Sequence, residues 1–126
     1  MINVRAVVRG EPELPPTIRI FNYSTADEEI FFGSASMVEE KVRRKIRINA
    51  GEALVAYCAL IVRSVRSGEK ASKIRERALK LLTEDGVMIG VPESMRTISF
   101  EARIDAQPVS KIELDGPVPA KSYTLA

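Results

Sequence analysis

The hydrophobic pattern of this 126-residue chain predicts the α+β class: a three-helix core with a C-terminal β-hairpin and an N-terminal β extension. Three observations carry that expectation. Both ends of the chain alternate apolar and polar residues with period two. The middle repeats its apolar residues at three and four. No internal repeat, low-complexity tract or separating linker divides the sequence, whose length suits a single core. The expected division is a β extension over residues 1–21 and the main domain over 22–126.

At the N-terminus Ile2, Val4, Ala6 and Val8 alternate with Asn3, Arg5 and Val7, the pattern of a half-buried strand. Gly10 to Pro16 holds three prolines and reads as a loop, and Thr17 to Phe21 is β-branched and aromatic enough for a second strand. The first helix is expected to start at Ser24 or Thr25. Glu28 stands three residues after Thr25, as in a capping box, and Asp27, Glu28 and Glu29 suit the positive end of the helix. Its apolar face is expected to be Phe31, Ala35, Val38, Val42 and Ile46, with Gly33 costing about 1 kcal/mol relative to alanine.

Asn49 and Glu52 repeat the capping spacing for a second helix over 50–67, which Gly68 ends. One stripe of it holds Leu54, Cys58, Ile61 and Val65, and the next holds Val55, Ala59 and Val62, so this helix belongs at the centre of the core. A third helix is expected over 72–82, with Ile74, Ala78, Leu81 and Leu82 inward and Lys73, Arg75, Glu76, Arg77 and Lys80 outward. From Thr97 the period returns to two. Ile98, Phe100, Ala102 and Ile104 form one strand, Gln107-Pro108 the turn, and Ile112 and Leu114 the returning strand; 115–119 reads as an extended tail over a neighbour or loose.

Composition narrows the function classes. The chain has no histidine and one cysteine, so it lacks the commonest metal ligand and the commonest general base, and cannot form an intramolecular disulfide. No metal or catalytic site is expected from these residues, although carboxylate-only chemistry is left open. Cys58 reads as a core thiol, Glu39 and Glu40 as a solvated helix face, Ser34 and Ser36 as helix or cap residues without a base, and Tyr23, Tyr57 and Tyr123 as too scattered for base stacking. The longest strongly apolar stretch, 53–62, is too short to span a bilayer, and the N-terminus has no signal or transit character, so the cytoplasm is the expected location. Residues 41–80 hold twelve Lys or Arg against Glu52, Glu69 and Glu76, while both flanks are acidic. Such a distribution suits self-association or an acidic partner; nucleic acid is the weaker alternative, because no phosphate loop or recognition motif accompanies it.

The segment Val87-Met88-Ile89-Gly90-Val91-Pro92-Glu93 resembles the V-M-x-G-V-P-E stretch of urease gamma subunits. Arg47-Ile48-Asn49 with Glu52-Ala53 resembles the family's cap before its central helix, and Ile98 with Glu101-Ala102 resembles the start of its hairpin. The resemblance covers residues 24–117, and its specific part runs from Asn49 to Ala102. It implies that residues 22–126 form a gamma-like domain acting as a non-catalytic subunit of a urease-type complex. Its partners would then be the catalytic alpha and beta subunits, urea would be hydrolysed to ammonia and carbamate at nickel in the alpha subunit, and this chain would hold no cofactor. Gly90 permits a backbone path closed to other residues, and Pro92 is expected to hold Val91 extended. On that reading Val87, Met88, Gly90, Val91, Pro92 and Glu93 form either a structural corner or a partner contact. Residues 1–21 have no counterpart in that pattern. They motivate an alternative, a stand-alone homo-oligomer such as a trimer or hexamer, whose N-terminal strand joins a neighbour's sheet.

Overall fold

A computed structural model describes residues 1–10 and 15–119. Its elements are strand β1 (Ile2–Arg9), β2 (Thr17–Tyr23), helices α1 (Glu28–Arg43), α2 (Ala50–Arg66) and α3 (Ala71–Ala78), a single helical turn α4 (Val91–Ser94), and strands β3 (Thr97–Ile104) and β4 (Ser110–Asp115). Short 3-10 turns, Thr25–Asp27 and Glu84–Gly86, precede α1 and α4. This is the α+β class expected, and the alternating residues of both terminal segments do form strands.

All four strands lie in one antiparallel sheet of order β2-β1-β3-β4. The N-terminal strand expected to be available to a neighbour therefore pairs inside its own chain. β1 runs beside β3 from Ile2↔Ile104 to Arg9↔Thr97, with both strands turned the same way in the pleat. Ile2, Val4, Ala6 and Val8 thus share one buried face with Ile98, Phe100, Ala102, Ile104, Ile112 and Leu114. A slip of one residue would expose that whole set.

The helices cover this face. α2 packs against α1, α3 and β3, and both of its expected stripes are buried. Its ends form as the sequence indicates. Asn49 Oδ1 accepts from the Glu52 N–H at 2.8 Å, and Glu52 Oε1 accepts from the Asn49 N–H at 3.1 Å. At the other end Gly68 takes φ +75°, its N–H bonds to the Val65 carbonyl and the Glu69 N–H to the Ser64 carbonyl, closing a Schellman motif.

Several expectations need correction. α1 begins at Glu28, after the 3-10 turn, and the Thr25–Glu28 capping box does not form. α1 runs unbroken past Gly33, but it ends before Ile46, because Lys45 adopts φ +57° and turns the chain; Ile46 is 46% exposed. α3 stops at Ala78 instead of Leu82, yet a tighter turn still brings Leu82 into the core, with Leu81 half-buried. The segment after β4 is not loose: the Gly116 N–H bonds to the Arg96 carbonyl at 2.8 Å, the Tyr57 hydroxyl donates to the Pro117 carbonyl at 3.1 Å, and Val118 is buried. Tyr123 and part of the 10–16 loop fall outside the described residues.

Candidate docking corner

The Val87–Glu93 segment joins the helical half of the chain to the C-terminal hairpin, and its backbone is held from both sides. The Ile48 N–H donates to the Gly86 carbonyl at 3.1 Å and the Met88 N–H to the Ile48 carbonyl at 2.9 Å, an isolated parallel bridge between Ile48 and Val87. Gly90 then takes φ +92°, a left-handed conformation costly for any residue with a Cβ, and its carbonyl accepts from the Ser94 N–H at 3.0 Å. That reversal sends Val91 into a helical turn with Pro92 in the position where a missing N–H costs nothing. The expectation of an extended Val91 is thus overturned. The local preference imposed by a following proline gives way to the hydrogen bonds that close α4 and to burial of Val91.

The turn divides the motif between two environments. Val87, Val91 and Pro92 are buried, beside Ile48 and Met95 in the same core. Met88, Gly90 and Glu93 are exposed. Ile89, which the sequence reading left out, projects furthest, with 96% of its surface open; Met88 beside it is 46% exposed. Its signal is chemical: a large aliphatic residue directly before a turn glycine, where polar residues are the rule. A cleft of about 240 Å³ lies under this tip, lined by Arg47, Glu84, Asp85 and Glu93 as well as the motif. The tip is thus an apolar knob on a hydrogen-bonded turn, rimmed by charge.

The remaining candidate residues stand apart from this corner. Cys58 is fully buried, and burial pushes its thiol above the ordinary range, which keeps it protonated. Burial likewise raises the Tyr57 hydroxyl, already committed to Pro117. Glu39 forms a two-point pair with Arg63 at 2.8 and 3.0 Å, and Glu40 pairs with Arg43. Ser34 and Ser36 are exposed on α1. Among the described residues, no three His, Cys, Asp or Glu side chains are placed to hold a metal ion, and no helix is long and apolar enough to cross a membrane. The basic middle is partly neutralised on the molecule itself, by Lys41–Glu52 at 2.6 Å, Arg77–Glu69 at 2.6 Å and Lys80–Glu76 at 3.6 Å.

A second charge cluster went unseen in the sequence. Glu28 at the start of α1 pairs with Arg66 at the end of α2 and, at 3.1 Å, with the amino group of Met1. Asp105, in the turn between β3 and β4, accepts from Arg66 at 3.1 Å and from the Met1 amino group at 2.9 Å. Burial pushes the Glu28 carboxyl up, but the Arg66 guanidinium and the amino group outweigh it and leave it below its usual range. Arg66 and then the amino group lower Asp105 further, to about 2.

The fold and this corner together define a small α+β domain with a hydrogen-bonded turn exposed between its helices and its hairpin. The family model of the urease gamma subunit matches residues 23–109, from the last residue of β2 to the turn before β4. The chain belongs to the urease gamma-subunit family.

Proposed function

We propose that this chain is a cytoplasmic, non-catalytic structural subunit of a urease-type complex, docking on the catalytic alpha subunit, which acts on urea, and on the beta subunit. The family match over residues 23–109 carries this reading. The chain's donor set, with no histidine and a single buried cysteine, does not fit a nickel pair, so the reading places that metal in the alpha subunit. What this chain contributes is shape. The Ile48–Val87 bridge and the Gly90 reversal hold the Met88–Ile89 tip before any partner arrives, so little conformational entropy is lost on docking.

Co-expression with urease alpha and beta subunits, followed by affinity purification, tests the reading. The three chains are expected to co-purify, and the isolated chain to bind no stoichiometric nickel and hydrolyse no urea. Ile89→Asp, at an exposed position, should leave the thermal melt unchanged and weaken association roughly ten- to a hundredfold, the worth of one fully buried aliphatic side chain. Turnover of urea by the isolated chain, or no association at micromolar concentrations, overturns it. The alternative, a stand-alone homo-oligomeric scaffold, draws its support from the free edge of the sheet.

A further inference from the structure

The two margins of the sheet are built differently. On the β4 side, Lys111, Glu113 and Asp115 put charges on the solvent face, α3 packs against the strand, and Arg75 Nε donates to the Glu113 carbonyl at 3.2 Å. These are the devices by which proteins keep an edge strand from pairing with another chain. β2 closes the other side of the sheet, with β1 as its sole strand neighbour among the described residues; its solvent face carries no charge, and its one guard of this kind is the inward-facing Arg19. Thr17–Tyr23 contains no proline, lysine or acid, and its register with β1 runs without a bulge from Ile2↔Tyr23 to Val8↔Thr17. Ile18 and Ile20 stand on the solvent face, 51% and 63% exposed, with half-buried Val7 opposite Ile18. The strand's one charge, Arg19, lies on the opposite face, where Nη1 donates to the Gly51 carbonyl at 3.2 Å and the guanidinium sits 4.6 Å from the centre of the Phe21 ring.

We propose that β2 is a self-association edge, through which two copies of this chain pair antiparallel and join their sheets into one. Charge permits a second copy as the occupant and selects the register. Centring the two-fold axis between Ile18 and Ile20 would set Arg19 directly opposite its own copy, a destabilising like-charge pair. Centring it on Ile20 sets Ile20 against Ile20, Ile18 against Asn22 and Arg19 against Phe21, so every charge opposes an uncharged side chain. In the next row inward, Arg5 lies between Ile20 and Glu101, and Glu101 faces Lys111, so the charges flanking the axis alternate and compensate within each chain. The same seven residues serve both copies, as a closed two-fold contact requires. Pairing along one short strand buries less than the roughly 1,200–2,000 Å² of permanent interfaces, which makes the dimer reversible and concentration-dependent.

This goes beyond docking to urease subunits, and its test leaves the Met88–Ile89 tip untouched. Sedimentation of the full chain from about 1 µM to about 1 mM should show a monomer–dimer equilibrium, and Ile20→Lys should weaken it about tenfold or more. Oxidising Ile20→Cys should trap a covalent dimer, because cross-strand Cα atoms on the axis lie about 4.5–5.5 Å apart, within disulfide reach. Glu113→Cys on the protected margin should not cross-link, and buried Cys58 is out of reach of either. A chain that stays monomeric throughout, a dimer indifferent to Ile20→Lys, or equal cross-linking from Glu113→Cys overturns the proposal.

Discussion

At the start of α2, Glu52 satisfies two demands at once: Oε1 accepts from the Asn49 N–H at 3.1 Å while Oε2 accepts from Lys41 at 2.6 Å. At the start of α1, Glu28 has the same spacing from Thr25, but its carboxylate is taken by Arg66 and by the Met1 amino group. The difference lies in where the cations stand. Lys41 approaches one oxygen and leaves the other for the helix backbone. Arg66 and the amino group engage Glu28 at both oxygens, and charge-assisted bonds are about twice as strong as neutral ones. The Thr25 hydroxyl goes with them, 3.4 Å from the Met1 nitrogen. One spacing thus yields a local cap at α2 and a long-range clamp at α1, joining β1, α1, α2 and the β3–β4 turn.

Removing the clamp's central cation separates the two ends most sharply. Arg66→Ala leaves the largely buried Glu28 with the amino group alone and should cost about 2 kcal/mol in urea unfolding at pH 7. The pH dependence has a definite sign. Both carboxyls titrate lower in the folded chain than their ordinary values of about 3.9–4.3, so their contribution is complete above that range and is lost as pH falls towards the folded value of about 2 for Asp105. The gap between Arg66→Ala and the parent should therefore be widest near neutrality and close by about pH 2. A gap that is constant with pH would show that Arg66 acts through packing.

The local cap should be worth less and should behave differently. Asn49→Ala removes the acceptor for the Glu52 N–H and is expected to cost about 1 kcal/mol. Lys41, followed by the Asn49 N–H, holds the Glu52 carboxyl below its usual range, and both remain in this variant. Its cost should consequently be nearly flat between pH 7 and pH 5, measured by the same unfolding curves.

These two helix starts also mark how far the sequence could be read. Elements written in local chemistry were legible: the alternation of Ile2 to Val8 and Ile98 to Ile104, the Asn49 cap and the Gly68 stop. What depended on distant groups was not. Nothing near Glu28 announces Arg66 or Asp105, and nothing in the first strand says that it lies between β2 and β3. Ile46 sits at perfect helical spacing, yet Lys45 turns the chain one residue earlier. At the candidate site the position of the corner was legible from its motif, but the division of its side chains was not. The Gly90 reversal breaks any regular period, so Val87 and Val91 turn inward while Met88 and Ile89 turn out.

The smallest effect gives the most discriminating test of the comparison. If Thr25 were the cap of α1, Thr25→Ala would cost about 1 kcal/mol, like Asn49→Ala. Its hydroxyl instead meets the Met1 amino group at 3.4 Å, at the outer edge of hydrogen-bonding distance and on an exposed surface. The amino group keeps stronger partners in Glu28 and Asp105 without it. The 3-10 turn supplies what the side chain does not, since the Asp27 N–H bonds to the Ser24 carbonyl at 3.0 Å and needs no threonine. Thr25→Ala should therefore shift stability by no more than a few tenths of a kcal/mol. Combined with Arg66→Ala it should add nothing beyond the single changes. A cost near that of Asn49→Ala would mean that α1 is capped from its own sequence after all, and that the clamp is laid over a helix start already complete.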